Sequence, residues 1–176
     1  MRDVEVVTCF LLRRTEKGDE VLVLRRSERV GTYRGKWAGV SGYLEPGASA
    51  VQQAEREMEE ETGLSREDAR LVRQGEPLEV VDPSASSGQA PPAPVRWMVH
   101  PFLFEVVRGA LPSARKARLK TGLRAGETEE VRLDWEHVEA RWVRPEEVRG
   151  LETVPGLAEA LTRVYAEQGR KSRGAR

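Results

Sequence analysis

The chain has 176 residues, and its 29 basic residues equal its 29 acidic ones, so its formal net charge is zero. This length suits one domain with its own core, and the balanced charge gives no general attraction to nucleic acid or an anionic membrane. A single cysteine, Cys9, excludes an internal disulfide framework and a cysteine-based zinc cluster, which favours the cytoplasm. No stretch approaches the ~18 apolar residues of a membrane span, so we expect neither a membrane nor a specific nucleic-acid partner.

The first half of the chain predicts three strands and a helix. Apolar, β-branched residues at 4–12 and 21–24 predict two strands of a hairpin, because residues 15–19 between them have turn chemistry. A Gly-punctuated strand follows at 37–44. A helix is predicted from Ser49, with Gln52 at the spacing of a capping box, to Thr62, where Gly63 suits a left-handed cap.

The second half predicts more strands and a closing helix. Strands are expected within 71–81, at 97–107, at 130–133 and at 140–143, a helix begins near Pro145, and the last helix spans 155–168. Two segments between them, 82–95 and 108–128, read as loop insertions. We predict a mixed sheet with packed helices in one domain, 1–168, followed by a basic, disordered tail at 169–176.

The predicted helix is strongly acidic. At ~100° per residue, Glu57, Glu60 and Glu61 share one arc beside the apolar stripe, whereas Glu55 and Glu59 point away. Converging carboxylates repel one another unless a cation lies among them, and they suit Mg²⁺ or Mn²⁺. A solvated charged face is the alternative interpretation.

The segment 42–64 resembles the Nudix box: Gly, five residues, Glu, seven residues, Arg-Glu, an aliphatic, any residue, Glu-Glu, any residue, Gly, an aliphatic. The residues in register are Gly42, Arg56, Glu57, Met58, Glu60, Glu61, Gly63 and Leu64.

This resemblance implies a Nudix-type α/β/α sandwich with a mixed β-sheet. It also implies a Mg²⁺-dependent pyrophosphohydrolase, with Mn²⁺ as an alternative metal, that cleaves a nucleoside diphosphate linked to another moiety. The family assigns metal ligation to Glu57, Glu60 and Glu61. One position departs from the box, because Ala48 stands where its first Glu belongs, and losing such a supporting carboxylate weakens a metal site.

Family members also use a carboxylate outside the box as general base or further ligand. Glu136 is the first choice here, with Glu139 and His137 as alternatives, and a helix glutamate such as Glu57 or Glu60 can also accept the proton. Ordinary polar strand ends are the competing interpretation. Arg56 is expected to orient a ligand carboxylate.

Three residues are predicted to bind substrate. Arg26 and Arg34 precede the box and suit phosphate, although a run of basic residues is more often solvated. Trp37, like Trp97, could stack on a base, although a lone Trp on a strand is more often part of the core.

Two functions follow from these residues. The first is the hydrolase, acting on a small nucleoside diphosphate derivative. The second is a Nudix-fold module that binds a nucleotide or sugar phosphate and regulates a partner with little or no turnover, which Ala48 favours. The sequence leaves open whether the chain is a monomer or a homodimer.

Overall fold

The computed structural model describes residues 1–83, 94–107 and 135–172, with side chains described as far as residue 165. The predicted strand at 130–133, the insertion at 108–128 and most of the segment 82–95 lie outside these residues. No helix in the described ranges is long and apolar enough to cross a membrane. The elements are β1 Arg2–Thr15, β2 Gly18–Arg26, β3 Trp37–Ala38, β4 Val40–Tyr43, α1 Ala50–Thr62, β5 Ala69–Gln74, β6 Leu78–Asp82, β7 Val95–Val106, β8 His137–Val143, a 3₁₀ helix Pro145–Gly150 and α2 Leu157–Ser172.

The predicted hairpin and acidic helix are confirmed. Gly18 closes the turn between β1 and β2 with φ 122°, a conformation that L side chains rarely adopt. Helix α1 begins where the Ser49 side chain accepts a hydrogen bond from the backbone N–H of Gln52, and ends at Gly63, whose φ is 76°. The local chemistry therefore sets both ends of the helix that carries the glutamates.

Other boundaries differ from the predictions. The segment 37–44 divides at Gly39 into β3 and β4, which pair with different strands. The segment 71–81 divides into β5 and β6, which both pair with β7, and the interruption between them contains Pro77, which has no N–H for a ladder. The element at Pro145 is a 3₁₀ helix, and α2 continues to Ser172, four residues past its predicted end.

The sheet is mixed and divides into two arms. Strand β1 runs parallel to β7 but antiparallel to its other neighbours. Strand β2 pairs with β1 from Gly18 to Val21, and its later residues turn away to pair with β3 and β8. Nearer its start, β1 pairs with β4. The division opens a cleft between the β1–β4–β7 arm and the β2–β3–β8 arm.

Helices cover both faces of the sheet. Side chains alternate along β1, so Cys9 and Leu11 pack with Met58 of α1 on one face, while Phe10 and Leu12 pack towards α2 on the other. These two cores confirm the predicted α/β/α sandwich. They also hold α1 against β4, which brings the acidic helix to the cleft.

Candidate active site

A pocket of about 410 Å³ lies where the sheet divides. Both arms of the sheet, α1 and α2 contribute to its walls. Its charged lining residues are Arg26, Glu57, Glu60 and Glu136, and its aromatic lining residues are Tyr33, Tyr43, Trp97 and Trp135. The pocket therefore joins an acidic wall, Glu57, Glu60 and Glu136, to an aromatic wall, Tyr33, Tyr43 and Trp97.

Glu57 reaches the pocket across a glycine. Its side chain lies directly on Gly42 of β4, and a Cβ added at Gly42 would overlap the Glu57 carboxylate and lie 2.6 Å from its Cγ. The carboxylate also accepts a hydrogen bond of 2.7 Å from Nε2 of Gln53, one helical turn earlier. The absence of a side chain at Gly42 therefore leaves space for the Glu57 side chain, and the hydrogen bond from Gln53 fixes its direction.

The three carboxylates of the acidic wall act on one another. Burial is the largest cause of the raised pKa of Glu57, and the negative charges of Glu60 and Glu136 raise it further. The hydrogen bond from Gln53 and the positive charge of Arg56 oppose this rise. Glu136, predicted from a segment about eighty residues away, therefore belongs to the same electrostatic cluster as the helix glutamates.

We expect Glu57→Gln to stabilise the metal-free protein at neutral pH. A carboxyl whose folded pKa is raised destabilises the fold when ionised, so this penalty is absent below the unfolded pKa and complete above the folded pKa. Glutamine keeps an oxygen that accepts from Gln53 but carries no charge. Urea unfolding in EDTA should give a higher free energy of unfolding for Glu57→Gln than for wild type at pH 7.5, with the difference shrinking as the pH falls towards 4.

Glu59→Gln is the control for this stability measurement, because Glu59 lies exposed on the same helix. It should unfold like the wild type across this pH range. A Glu57→Gln protein that is less stable than wild type would show that the ionised carboxylate supports the fold.

Glu61 lies deeper than the other two predicted ligands. Its side chain is 3% exposed, its Oε2 accepts from the backbone N–H of Ser41 at 3.3 Å, and the same oxygen lies 3.9 Å from Nε2 of His137. It is not among the residues that line the pocket. The structure therefore brings Glu57 and Glu60 together with Glu136 in the pocket, and Glu61 together with His137 beneath it.

The predicted substrate-binding residues are separated. Arg26 lines the pocket, and its guanidinium donates to the backbone oxygen of Thr32 at 3.0 Å. Arg34 is exposed and donates to the backbone oxygen of Val30 at 2.9 Å. Trp37 is 7% exposed in the core facing α2. Of these three residues, only Arg26 is part of the pocket wall.

Two residues of the aromatic wall, Tyr33 and Tyr43, are not among those predicted from the sequence. The Trp97 ring lies 6.2 Å from that of Tyr33 and 6.4 Å from that of Tyr43, and the latter pair is inclined by only 30°. Tyr43 is 58% exposed, so its ring is accessible. The sequence gives one signal for each tyrosine. Tyr43 lies inside the segment 42–64 that resembles the Nudix box, and Tyr33 lies between Gly31 and Gly35.

A family model for the NUDIX domain matches residues 3–164. The chain belongs to this family. The match confirms the resemblance seen at residues 42–64, and membership of this family supports a hydrolase acting on phosphoric anhydride bonds.

Solved structures share the Nudix fold over nearly the whole chain. A C. elegans Ap4A hydrolase binary complex has 17% identity and a TM-score of 0.62, covering 97% of this chain and 98% of its own. The MutT protein of Methanosarcina mazei Go1 has 24% identity and a TM-score of 0.60, covering 98% and 96%. The NUDIX domain of Shewanella oneidensis NrtR, complexed with ADP ribose, has 12% identity and a TM-score of 0.56, covering 98% and 90%.

At these identities the likeness demonstrates the fold alone. A search of curated proteins found no match to this chain.

Proposed function

We propose that this Nudix protein is a Mg²⁺-dependent pyrophosphohydrolase that cleaves the diphosphate of a nucleoside diphosphate linked to another moiety. One observation carries the proposal: a single pocket joins the acidic wall to the aromatic wall. Diphosphate chemistry needs positive charge beside carboxylates, whereas a nucleoside offers a flat ring for stacking. The two walls match the two ends of such a substrate.

The donor set of the acidic wall fits a hard divalent cation. Carboxylate oxygens are the ligands that Mg²⁺ and Mn²⁺ prefer, and among the charged residues that line the pocket in the described part of the chain three are acidic and one is basic. Within the described ranges, no three His, Cys, Asp or Glu side chains form a ready metal cluster. The ionised carboxylates of Glu60 and Glu136 act unfavourably on that of Glu57, and a cation among them would relieve this repulsion.

Each residue then has a role. Glu57 and Glu60 would hold the metal, and the resemblance to the Nudix box adds Glu61 to this set. A bound Mg²⁺ would neutralise the diphosphate and assist attack by water. Glu136 would accept the proton of that water, because it lies in the same pocket on the opposite arm of the sheet. Arg56 would orient Glu57, and Arg26 would contact a phosphate.

The remaining expectations keep their sequence-based support. The single domain of residues 1–168 stays a prediction from the sequence, as does a cytoplasmic location, which the lone Cys9 favours. Phosphate contact by Arg34 and base stacking by Trp37 receive less support, because neither side chain lines the pocket.

A substrate screen tests the proposal. Purified protein with Mg²⁺ is offered nucleoside triphosphates, ADP-ribose, dinucleoside polyphosphates and related diphosphates, and release of phosphate or nucleotide is measured. We expect turnover of at least one diphosphate and its loss in EDTA, since the acidic wall repels a diphosphate when no cation is present. Turnover that persists in EDTA would contradict the metal dependence.

A second function, a nucleotide-binding regulatory module, is favoured by Ala48. This residue lies exposed in a turn that its N–H closes on the backbone oxygen of Glu45 at 3.0 Å, and no carboxylate at 48 supports the metal site. Tight binding of ADP-ribose with background hydrolysis of every compound in the screen would favour the module over the enzyme.

A further inference from the structure

One wall of the pocket is a loop, residues 27–36, that connects β2 to β3. Its residues Val30, Gly31, Thr32 and Tyr33 line the pocket. The loop is fastened at its base, because the backbone N–H of Gly35 donates to Arg26 and the Arg26 guanidinium donates to Thr32. These contacts fix the loop to its own strand, but they do not join it to the β6–β7 side of the pocket.

Tyr33 makes that second connection. Its phenol donates a hydrogen bond of 2.6 Å to Oδ2 of Asp82, the last residue of β6, whose side chain is buried. Asp82 pairs with Val95 of β7, two residues before Trp97. The bond therefore ties the loop 27–36 to the hairpin that carries Trp97, and it spans 49 residues of sequence.

The backbone of Tyr33 indicates that this contact is held under strain. Its φ is 51°, and among the described residues no other non-glycine residue has a positive φ. Bulky residues adopt this conformation rarely and keep it only where the surroundings hold them there. Burial and the Asp82 carboxylate also raise the pKa of the Tyr33 phenol, so the phenol keeps the proton that it donates.

We propose that Tyr33 is a positioning residue, whose hydrogen bond to Asp82 holds the loop 27–36 against the β6–β7 hairpin so that the aromatic wall is formed before substrate arrives. The proposal rests on the proposed function, since it assumes that the wall receives the planar base of the substrate. Without the bond, the substrate itself would have to order the loop, which lowers affinity. The chemical step on the acidic wall would be unaffected.

The chain provides a matched control. Tyr165 also donates its phenol to an aspartate, Oδ2 of Asp19, at 2.9 Å, but this pair joins α2 to the β1–β2 hairpin and does not line the pocket. Tyr33→Phe and Tyr165→Phe therefore delete the same hydroxyl from the same kind of pair. Phenylalanine at 33 keeps the ring for stacking, so the substitution removes the hydroxyl and its bond to Asp82 without removing the aromatic surface.

The test uses ADP-ribose with Mg²⁺, giving KM and kcat from hydrolysis and Kd by calorimetry in a slowly hydrolysing Glu136→Gln background. Tyr33→Phe should raise both Kd and KM by about tenfold, which corresponds to the loss of one positioning contact. Its kcat should stay within about twofold of wild type. Tyr165→Phe should leave all three constants unchanged. Hydrogen exchange should accelerate at residues 27–36 in Tyr33→Phe and not in Tyr165→Phe.

Unchanged Kd and KM in Tyr33→Phe would overturn the proposal, and so would an equal loss in Tyr165→Phe. Asp82→Asn provides a second variant, in which a neutral oxygen still accepts from the phenol, and it should fall between wild type and Tyr33→Phe. Failure of the proposed function would give a different result, because wild type would then hydrolyse none of the diphosphates. The Kd values of wild type and Tyr33→Phe would still show whether Tyr33 positions the loop. A wild type that neither binds nor hydrolyses any diphosphate in the screen would overturn both, and where wild type binds another diphosphate more tightly than ADP-ribose, the same constants are measured with that compound.

Discussion

Glu57→Gln and Glu60→Gln are each expected to lower kcat/KM for the preferred diphosphate by at least ~10²-fold, because each removes a carboxylate that would hold the Mg²⁺ that neutralises the diphosphate. Both side chains line the pocket, and the charge of Glu60 already raises the pKa of Glu57. The two substitutions should also raise the Mg²⁺ concentration that gives half-maximal activity.

Glu136→Gln should separate proton acceptance from metal binding. A general base contributes ~10²–10⁴-fold to a rate, so kcat should fall by at least ~10²-fold while the Mg²⁺ requirement changes little. Glu61→Gln should reduce activity by weakening metal binding, because the resemblance to the Nudix box implies that Glu61 is a metal ligand.

The controls lie on the same helix. Glu55 lies 3.5 Å from Arg66, Glu59 is exposed, and neither lines the pocket. Glu55→Gln and Glu59→Gln should keep activity near that of wild type. If all five helix substitutions lowered activity alike, the helix would be a charged surface and the proposed site would lie elsewhere.

Local chemistry made much of the fold predictable. Ser49 and Gly63 determine where α1 begins and ends through contacts within four residues of each terminus, so reading the sequence was sufficient. The turn at Gly18 is equally local. By contrast, the division at Gly39 depends on which strands pair across the sheet, because β3 pairs with β2 and β4 pairs with β1, and that choice is made by residues far apart in the chain.

The site was predictable only in part, for the same reason. A helical projection gives the direction of Glu57, Glu60 and Glu61 but not what each one meets, so it could not tell that Glu61 faces Ser41 and His137 beneath the pocket. Similarly, Trp37 and Trp97 look alike in sequence. The pairing of β7 with β6 and β1 places Trp97 in the pocket wall, whereas Trp37 packs into the core towards α2.

Gly42→Ala should lower kcat/KM at least tenfold without unfolding the protein. The added methyl would overlap the Glu57 carboxylate, so this side chain must leave its place beside Gln53. The obstruction is a flexible, half-buried side chain, and we expect the free energy of unfolding to change by less than ~1.5 kcal/mol. Kinetics with increasing Mg²⁺, together with urea unfolding, measure both effects.

Two glycine controls and one double variant make the result of Gly42→Ala specific. Gly150→Ala meets open space and should leave activity unchanged, whereas Gly39→Ala places its methyl 2.9 Å from the backbone oxygen of Cys9 and should destabilise the fold. If Gly42→Ala acts by moving Glu57, it should add little further loss in a Glu57→Gln background, because the two substitutions remove the same contribution. If Gly42→Ala kept wild-type activity, Glu57 would act from a position other than the one it occupies over Gly42. If the two losses multiplied in the double variant, Gly42 would contribute to catalysis independently of Glu57.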